Sequence, residues 1–311
     1  MNYIKGYTFS LKRNFQGIFE MNETKKSLVH LKEKTNTDTV IFVVSGLQDT
    51  PQTEKIEYQI KEMPSNIEIK EILNFAKALG FRIILKPMVN CRNGVWRANI
   101  AFFDKEVPCE PKWSKWFESY MEYMVTYAKI AEEVGCEMLI IGCELVMTER
   151  KEKEWRKVIG KVREVYYGLI TYNTDKYQEE MITWWDAVDV ISSSGYYPID
   201  AWEENLDRIE KVVNKYKKPF FFAECGCMSM EGSEYIPNDW TFRGEVNEKA
   251  QADYFAKMFE ECRKRKFVQG FVVWDWTPDK KKREENVGGY DVDGKLAEGI
   301  IYKNYKHAEF Y

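Results

Sequence analysis

The chain has 311 residues, 44% hydrophobic, 15% aromatic and 31% charged. These proportions suit a sizeable core under a charged surface, and a net charge of −4 leaves no basic footprint for nucleic acid or an anionic membrane. No apolar run approaches the roughly 18 residues of a membrane span. The opening Met1-Asn2-Tyr3-Ile4-Lys5-Gly6 has no apolar leader core, so a cytoplasmic protein is expected. Seven cysteines, odd in number and scattered, read as reduced core thiols.

Strand-like and helix-like segments alternate along the chain. Gly6 to Ser10 is a short aromatic strand, followed by a helix from about Glu23 to Glu33 with Leu28 and Leu31 on its apolar side. Thr39 to Ser45 is β-branched and apolar throughout, a second strand. A helix from about Asn66 to Leu79 stops at Gly80, and Phe81 to Lys86 is the third strand, ending at Pro87. A long loop, about Val89 to Lys112, then carries Asn90, Trp96 and Arg97. The helix Trp113 to Val134 places Trp116, Tyr120, Met124, Tyr127 and Ala131 on one stripe.

Met138 to Cys143 is the fourth strand and ends on Glu144. A helix around Glu152 to Val165 precedes a fifth strand, Gly168 to Tyr172, which ends at Asn173. Tyr177 to Ala187 reads as helical, and Val188 to Ser193 is the sixth strand. After a helix from Trp202 to Tyr216, Lys218-Pro219-Phe220-Phe221-Phe222-Ala223 is apolar enough for a strand buried on both faces, and it ends on Glu224. A loop, a helix from Asn247 to Arg265, an eighth strand from Phe267 to Val273 and a short final helix complete the pattern. Strand and helix alternate eight times without a linker or composition break. Helix-to-strand links are short and several strand-to-helix links are long. That asymmetry predicts a single-domain α/β protein over residues 1–311, a (β/α)8 TIM barrel with one elaborated face. The first strand is not followed by Gly-x-Gly-x-x-Gly, which counts against a dinucleotide-binding fold.

A carboxylate at the end of a buried strand is costly unless something needs it. Glu144 and Glu224 end strands four and seven, on the face where barrel enzymes build their chemistry. Two glutamates across a cleft suit retaining glycoside hydrolysis, in which the carboxyl groups stand about 5–5.5 Å apart. One attacks the anomeric carbon and the other protonates the leaving oxygen. The neighbouring negative charge is expected to raise the pKa of the acid. The bland alternative for each Glu is a rim salt bridge or cap.

Ile141-Gly142-Cys143-Glu144, Ser194-Gly195-Tyr196-Tyr197-Pro198, Phe222-Ala223-Glu224 and Trp274-Asp275-Trp276 together resemble the clan A glycoside hydrolases. Leu85-Lys86-Pro87, Trp96-Arg97, Trp184-Trp185-Asp186 and Gly294-Lys295-Leu296-Ala297-Glu298 make the chain similar to glycoside hydrolase family 113, the β-1,4-mannanases. The likeness runs from the first strand to the C-terminus. It implies Glu144 as acid/base, Glu224 as nucleophile, Tyr196 as a hydrogen-bond donor to Glu224, and Trp274 as the floor beneath the sugar at the cleavage site. The substrate implied is a β-1,4-linked manno-oligosaccharide or mannan. Cys143 stands where the wider clan has Asn, and Met88 and Asn90 stand where the family tends to have His and Asp.

Indole faces stack on pyranose rings, so Trp96, Trp274 and Trp276 are candidate sugar contacts. Trp113, Trp116, Trp155, Trp184, Trp185 and Trp202 read as packing. Lys86, Asn90, Arg97 and Asn173 lie at strand ends or in face loops, where polar groups can fix hydroxyls; a rim salt bridge is the alternative for each. The two histidines, His30 and His307, lie off that face and serve neither a zinc site nor a Ser-His-Asp triad. Cys225 and Cys227 lack the partners of a soft-metal site, and Lys280-Lys281-Lys282-Arg283 reads as a solvated loop. No cofactor, metal, nucleic acid, membrane or protein partner is expected. A β-glycosidase of another specificity, such as a glucanase, and a catalytically silent sugar-binding barrel remain alternatives.

Overall fold

The computed structural model describes residues 1–11, 18–278 and 287–307. Eight strands, β1 Ile4–Ser10, β2 Thr39–Gln48, β3 Arg82–Cys91, β4 Met138–Cys143, β5 Leu169–Thr174, β6 Val190–Gly195, β7 Phe220–Cys225 and β8 Val268–Trp276, pair in chain order. Every pairing is parallel, and β1 pairs with β8 to close the barrel. The helices are α1 Ile18–Lys34, α2 Asn66–Ala78, α3 Trp113–Val134, α4 Glu152–Arg163, α5 Trp202–Tyr216, α6 Glu248–Arg263 and α7 Leu296–Lys306. No helix among the described residues is long and apolar enough to cross a membrane. The Lys280 to Arg283 run lies outside the described residues.

Period-two alternation divides each strand between two cores. Ile4, Ile41, Val43, Ile84, Met138, Ile140, Val190, Phe221 and Val272 fill the barrel, while Tyr7, Phe42, Leu85, Leu139, Phe220, Phe222 and Val273 pack outward under the helices. The same alternation carries polar residues inward. Lys86 stands between Ile84 and Met88, and Thr171, Asn173, Ser192 and Ser194 complete the upper layer; all five polar side chains are buried.

Three breaks in this alternation lie next to the functional face. On β4, Ile140 pairs with Thr171 but Cys143 with Asn173, so β4 carries one extra residue. On β7, Phe222 pairs with Ser193 but Glu224 with Ser194, again one extra residue. On β8, Val273 pairs with Tyr7 and Trp276 with Phe9. Each is a β-bulge, and each re-aims the side chains that follow it.

The expected helix over Tyr177 to Ala187 is absent. That crossover consists of turns and one short 3-10 segment, Trp185–Ala187. Glu179 is buried there by Arg208, Ser193 and Tyr197. The Trp184 indole stacks on Trp155 at 5.1 Å, and the buried Trp185 beside it donates to the Glu179 carbonyl. The two indoles cover the barrel wall that a helix would otherwise cover.

Behind this wall, Glu149 is buried with one oxygen accepting from Tyr172 (2.8 Å) and Thr174 (2.9 Å), and the other oxygen has no partner. Burial pushes its carboxyl up to about 8 from an ordinary 4.5. The folded state therefore keeps a proton that the unfolded chain loses, so this group costs stability as pH rises from about 4.5 through 8. Glu149→Gln, a neutral isostere, is expected to raise the melting temperature at pH 8 to 9 relative to the wild type and to change it little at pH 5. Equal shifts at both pH values would contradict this.

Candidate active site

The long strand-to-helix loops enclose a cleft of about 960 Å³ over the C-terminal ends of the strands. Glu144, Glu224, Tyr196, Trp274, Asn90, Trp96 and Arg97 all line it. A carboxylate oxygen of Glu144, one of Glu224 and the Cys143 thiol lie within 4.8 Å of one another.

Glu144 directly follows the β4 bulge and has φ +51°, a left-handed conformation that non-glycine residues rarely hold. Its N–H donates to the Asn173 carbonyl at 2.8 Å, fastening it to β5. Gly142 makes the bulge possible, because a Cβ there would stand 2.6 Å from the Tyr172 ring. One oxygen of Glu144 accepts from Ser194 Oγ at 2.8 Å; the other accepts from Arg97 Nη1 at 2.9 Å and from Trp96 Nε1 at 3.4 Å. Arg97 is held in turn by its Nε, which donates to the Val89 carbonyl at 3.1 Å.

Strict alternation would turn Glu224 outward beside Phe220 and Phe222. The β7 bulge turns it into the cleft instead. One oxygen accepts from Lys86 Nζ and from Cys143 Sγ (3.4 Å), and the other from Tyr196 OH (2.8 Å). Burial and the adjacent Glu224 charge raise the Tyr196 pKa well above its ordinary value, so the phenol stays a donor. Burial likewise raises the Cys143 thiol, which remains an S–H. Lys86 Nζ also donates to Asn173 Oδ1 at 2.6 Å, and Asn173 Nδ2 donates to Ser194 Oγ at 3.0 Å. A continuous polar chain, Glu224–Lys86–Asn173–Ser194–Glu144, therefore joins the two carboxylates beneath the cleft floor.

That chain revises two expected sugar contacts. Lys86 and Asn173 are fully buried under the carboxylates and do not line the cleft. They position the acidic pair. Trp276 is a clearer correction. The β8 bulge turns it to the outer core, where its indole donates to Ser27 Oγ (3.0 Å) and meets Tyr7 edge-on. It does not face the cleft. Trp274, half-buried, does, with Lys86 Nζ 6.0 Å from its ring centroid.

The expected pKa of Glu144 is also reversed. Burial pushes it up, as would a neighbouring carboxylate, but Arg97, Ser194 and Lys86 outweigh burial and leave it below the ordinary value. Sequence reasoning could place Arg97 on the right face but not against Glu144.

Three residues of the site went unnoticed in the sequence, Ser194 beneath the cleft floor and Asp175 and Trp240 on its lining. Ser194 bridges the network and was available from the inward series Val190, Ser192, Ser194. Asp175, one residue beyond β5, is buried, and burial together with the charge of Glu144 pushes its carboxyl up to about 7. Trp240, half-exposed in the loop after β7, stacks on Tyr290 at 4.1 Å and meets Trp274 edge-on at 5.8 Å; no periodicity marks it.

Cys143, Glu144 and Glu224 are close enough to share a cation, yet Lys86 and Arg97 already occupy the carboxylates as counter-ions. Cys225 and Cys227 form no common site: one thiol donates to the Val272 carbonyl and the other meets Ser233.

Two buried strand-end glutamates at this separation, over a parallel barrel and among tryptophans, define a glycoside hydrolase cleft. The family model described as Glycoside Hydrolase Family 113 matches residues 7–295, and the chain belongs to that family. Among solved structures, a GH113 β-1,4-mannanase is 48% identical, with 99% of this chain and 100% of that chain covered at a TM-score of 0.95. The GH113 β-mannanase AaManA from Alicyclobacillus acidocaldarius, solved in complex with ManMIm, is 35% identical, with 98% of each chain covered and a TM-score of 0.92. The β-glucuronidase of Ruminococcus gnavus shares the fold at 16% identity and a TM-score of 0.64, over 98% of this chain and 50% of that one. No curated protein matches the sequence.

Because Arg97 favours the ionised form of Glu144, removing it raises the pH at which Glu144 loses its proton. Carboxyl-carbon NMR titration of glutamate-labelled protein, with the signal assigned by Glu144→Gln, is expected to show an upward shift in Arg97→Ala. An unchanged or lowered midpoint would contradict the pairing.

Proposed function

We propose that this glycoside hydrolase cleaves β-1,4-mannosidic bonds in manno-oligosaccharides or mannan with retention of configuration. Glu224 is the nucleophile and Glu144 the acid/base. The observation that carries the mechanism is the separation of the two carboxylates: oxygens within 4.8 Å leave no room for the water that an inverting enzyme seats between carboxyl groups about 6.5–9.5 Å apart. The sugar assignment rests on the two family members, whose names state β-mannanase activity.

In the first half-reaction, a Glu224 oxygen bonds to the anomeric carbon as the glycosidic C–O bond breaks, and the proton of Glu144 passes to the leaving oxygen. Lys86 and Tyr196 aim the Glu224 carboxylate, and Trp274 underlies the reacting sugar. Glu144 is ionised in the open cleft, so it must gain its proton as the saccharide binds. Exclusion of water by the bound sugar favours that. In the second half-reaction Glu144 takes a proton from water, the water oxygen bonds to the anomeric carbon, and the ester to Glu224 breaks.

The reading is tested by hydrolysis of manno- and cello-oligosaccharides by wild type, Glu144→Ala and Glu224→Ala. Mannosides are expected to be preferred, and each variant is expected to lose at least about a thousandfold in kcat. Azide should restore activity of Glu144→Ala on an activated aryl mannoside, because that leaving group needs no proton and anionic azide attacks the glycosyl-enzyme without a general base, releasing the glycosyl azide. Full activity in either variant would remove the mechanism, and a preference for cello-oligosaccharides would remove the sugar assignment.

A further inference from the structure

One stretch of chain, the end of β6 and the residues just beyond it, carries a donor to each glutamate. Ser194 Oγ donates to Glu144 and Tyr196 OH to Glu224, each at 2.8 Å. Both donors aim correctly only if that stretch is held still. Its pairing with β7 is irregular there: Ser193 pairs with Phe222 but Ser194 with Glu224, so the two serines straddle the extra residue of β7. A bulge disrupts the ladder locally, and backbone pairing alone therefore fixes this segment less firmly than a regular strand.

The anchorage comes from behind the barrel wall. Ser193 and Tyr197, next in sequence to Ser194 and Tyr196, turn to the helix side, and both hydroxyls donate to one oxygen of Glu179, that of Ser193 at 2.6 Å. The other oxygen accepts from Arg208 Nη1 at 2.6 Å. Arg208 lies on α5, and its Nη2 reaches the Tyr197 hydroxyl at 3.3 Å and Asn205 Oδ1 at 3.4 Å. Glu179 has no exposed surface, and its carbonyl accepts from Trp185 Nε1 at 2.8 Å. The Tyr197 ring meets Trp202 edge-on at 5.3 Å and Phe222 at 6.3 Å, which leaves its hydroxyl little freedom to seek another partner. Charge-assisted hydrogen bonds are short and directional, so one carboxylate fixes the outward side chains at both ends of segment 193–197.

We propose that Glu179, paired with Arg208, is a positioning residue for both bond-breaking glutamates, acting on Glu144 through Ser193 and Ser194 and on Glu224 through Tyr197 and Tyr196. This assignment rests on the roles given above to Glu144 and Glu224. Glu179 does not line the cleft and takes no part in breaking the bond. Its two branches end on groups with different work. Slackening the Ser193 branch disturbs the group that delivers the proton, and slackening the Tyr197 branch disturbs the group that attacks the anomeric carbon.

Ser193→Ala and Tyr197→Phe each remove one branch and keep the Glu179–Arg208 pair, avoiding the uncompensated buried charge that loss of either ion would leave. Both are compared with wild type by kcat/KM on mannotetraose and on 2,4-dinitrophenyl β-mannobioside, whose leaving group departs without a proton. Ser193→Ala is expected to lose about five- to twentyfold on mannotetraose and less than about twofold on the aryl substrate, whereas Tyr197→Phe loses about five- to twentyfold on both. A general loosening of the fold would give both variants one pattern. The same substrate pattern in both variants, or undiminished turnover of mannotetraose in either, overturns the proposal. A second arm needs no substrate. The Ser194 hydrogen bond favours ionised Glu144, so carboxyl-carbon NMR titration is expected to show a raised Glu144 midpoint in Ser193→Ala and an unchanged one in Tyr197→Phe. Arg97, Lys86, Asp175 and Glu224 also face Glu144 and are the same in both variants. An unmoved midpoint in Ser193→Ala, or an equal rise in both, overturns the proposal. If the wild type turns over neither mannoside, the proposed function fails while the titration still decides whether Glu179 anchors the pair.

Discussion

An ammonium with no exposed surface sits at the base of the cleft, and the arrangement of the acidic pair depends on it. Burial alone would drive the proton off Lys86, but the carboxylates beside it outweigh burial and hold its pKa above the ordinary value. Lys86 binds Glu224 directly and reaches Glu144 through Asn173 and Ser194. Removing one member of such a buried pair leaves an uncompensated charge and costs about 3–5 kcal/mol. The pairing costs desolvation of both ions, so its retention is better explained by orientation than by stability. A carboxylate fixed by an ammonium, a phenol and a thiol has little freedom to turn away from a bound sugar.

The second constraint is the register of the barrel. A parallel strand presents alternate residues inward, and on β7 that rule sends Glu224 toward the helices. One extra residue in β7 turns Glu224 into the cleft; on β4 the extra residue turns Cys143 inward, and Glu144 just beyond it enters the same cleft with a left-handed φ of +51°. A third bulge in β8 separates Trp274, over the cleft, from Trp276, in the outer core. The ordered faces of the barrel make the scaffold, and its irregularities make the site.

This distinction explains what the sequence disclosed. Eight strands, short links on one end and long loops on the other follow from periodicity, and both strand-end glutamates are visible as charges closing apolar runs. The inward direction of Lys86 was legible too, since it lies between Ile84 and Met88, but its burial depends on strands far away in sequence. Bulges leave no compositional mark apart from a glycine such as Gly142, so Trp276 looked equivalent to Trp274. The segment 177–187 has a helix-like composition, yet burial of Glu179 against Arg208 and stacking of Trp184 on Trp155 override that propensity. The Arg97–Glu144 pair joins a loop to a strand end 47 residues away, and that long-range contact reverses the expected pKa of the acid.

Exposure of the protein to a 2-deoxy-2-fluoro β-mannosyl fluoride tests the central claim most directly, because the fluorine slows release of a covalent intermediate. Intact-mass and peptide mapping should find one glycosyl ester, carried by Glu224, in a protein that regains activity as the ester turns over. An adduct on any other residue, or substrate turnover with no covalent species formed, would contradict the assignment of Glu224 as the nucleophile that Lys86 holds in place.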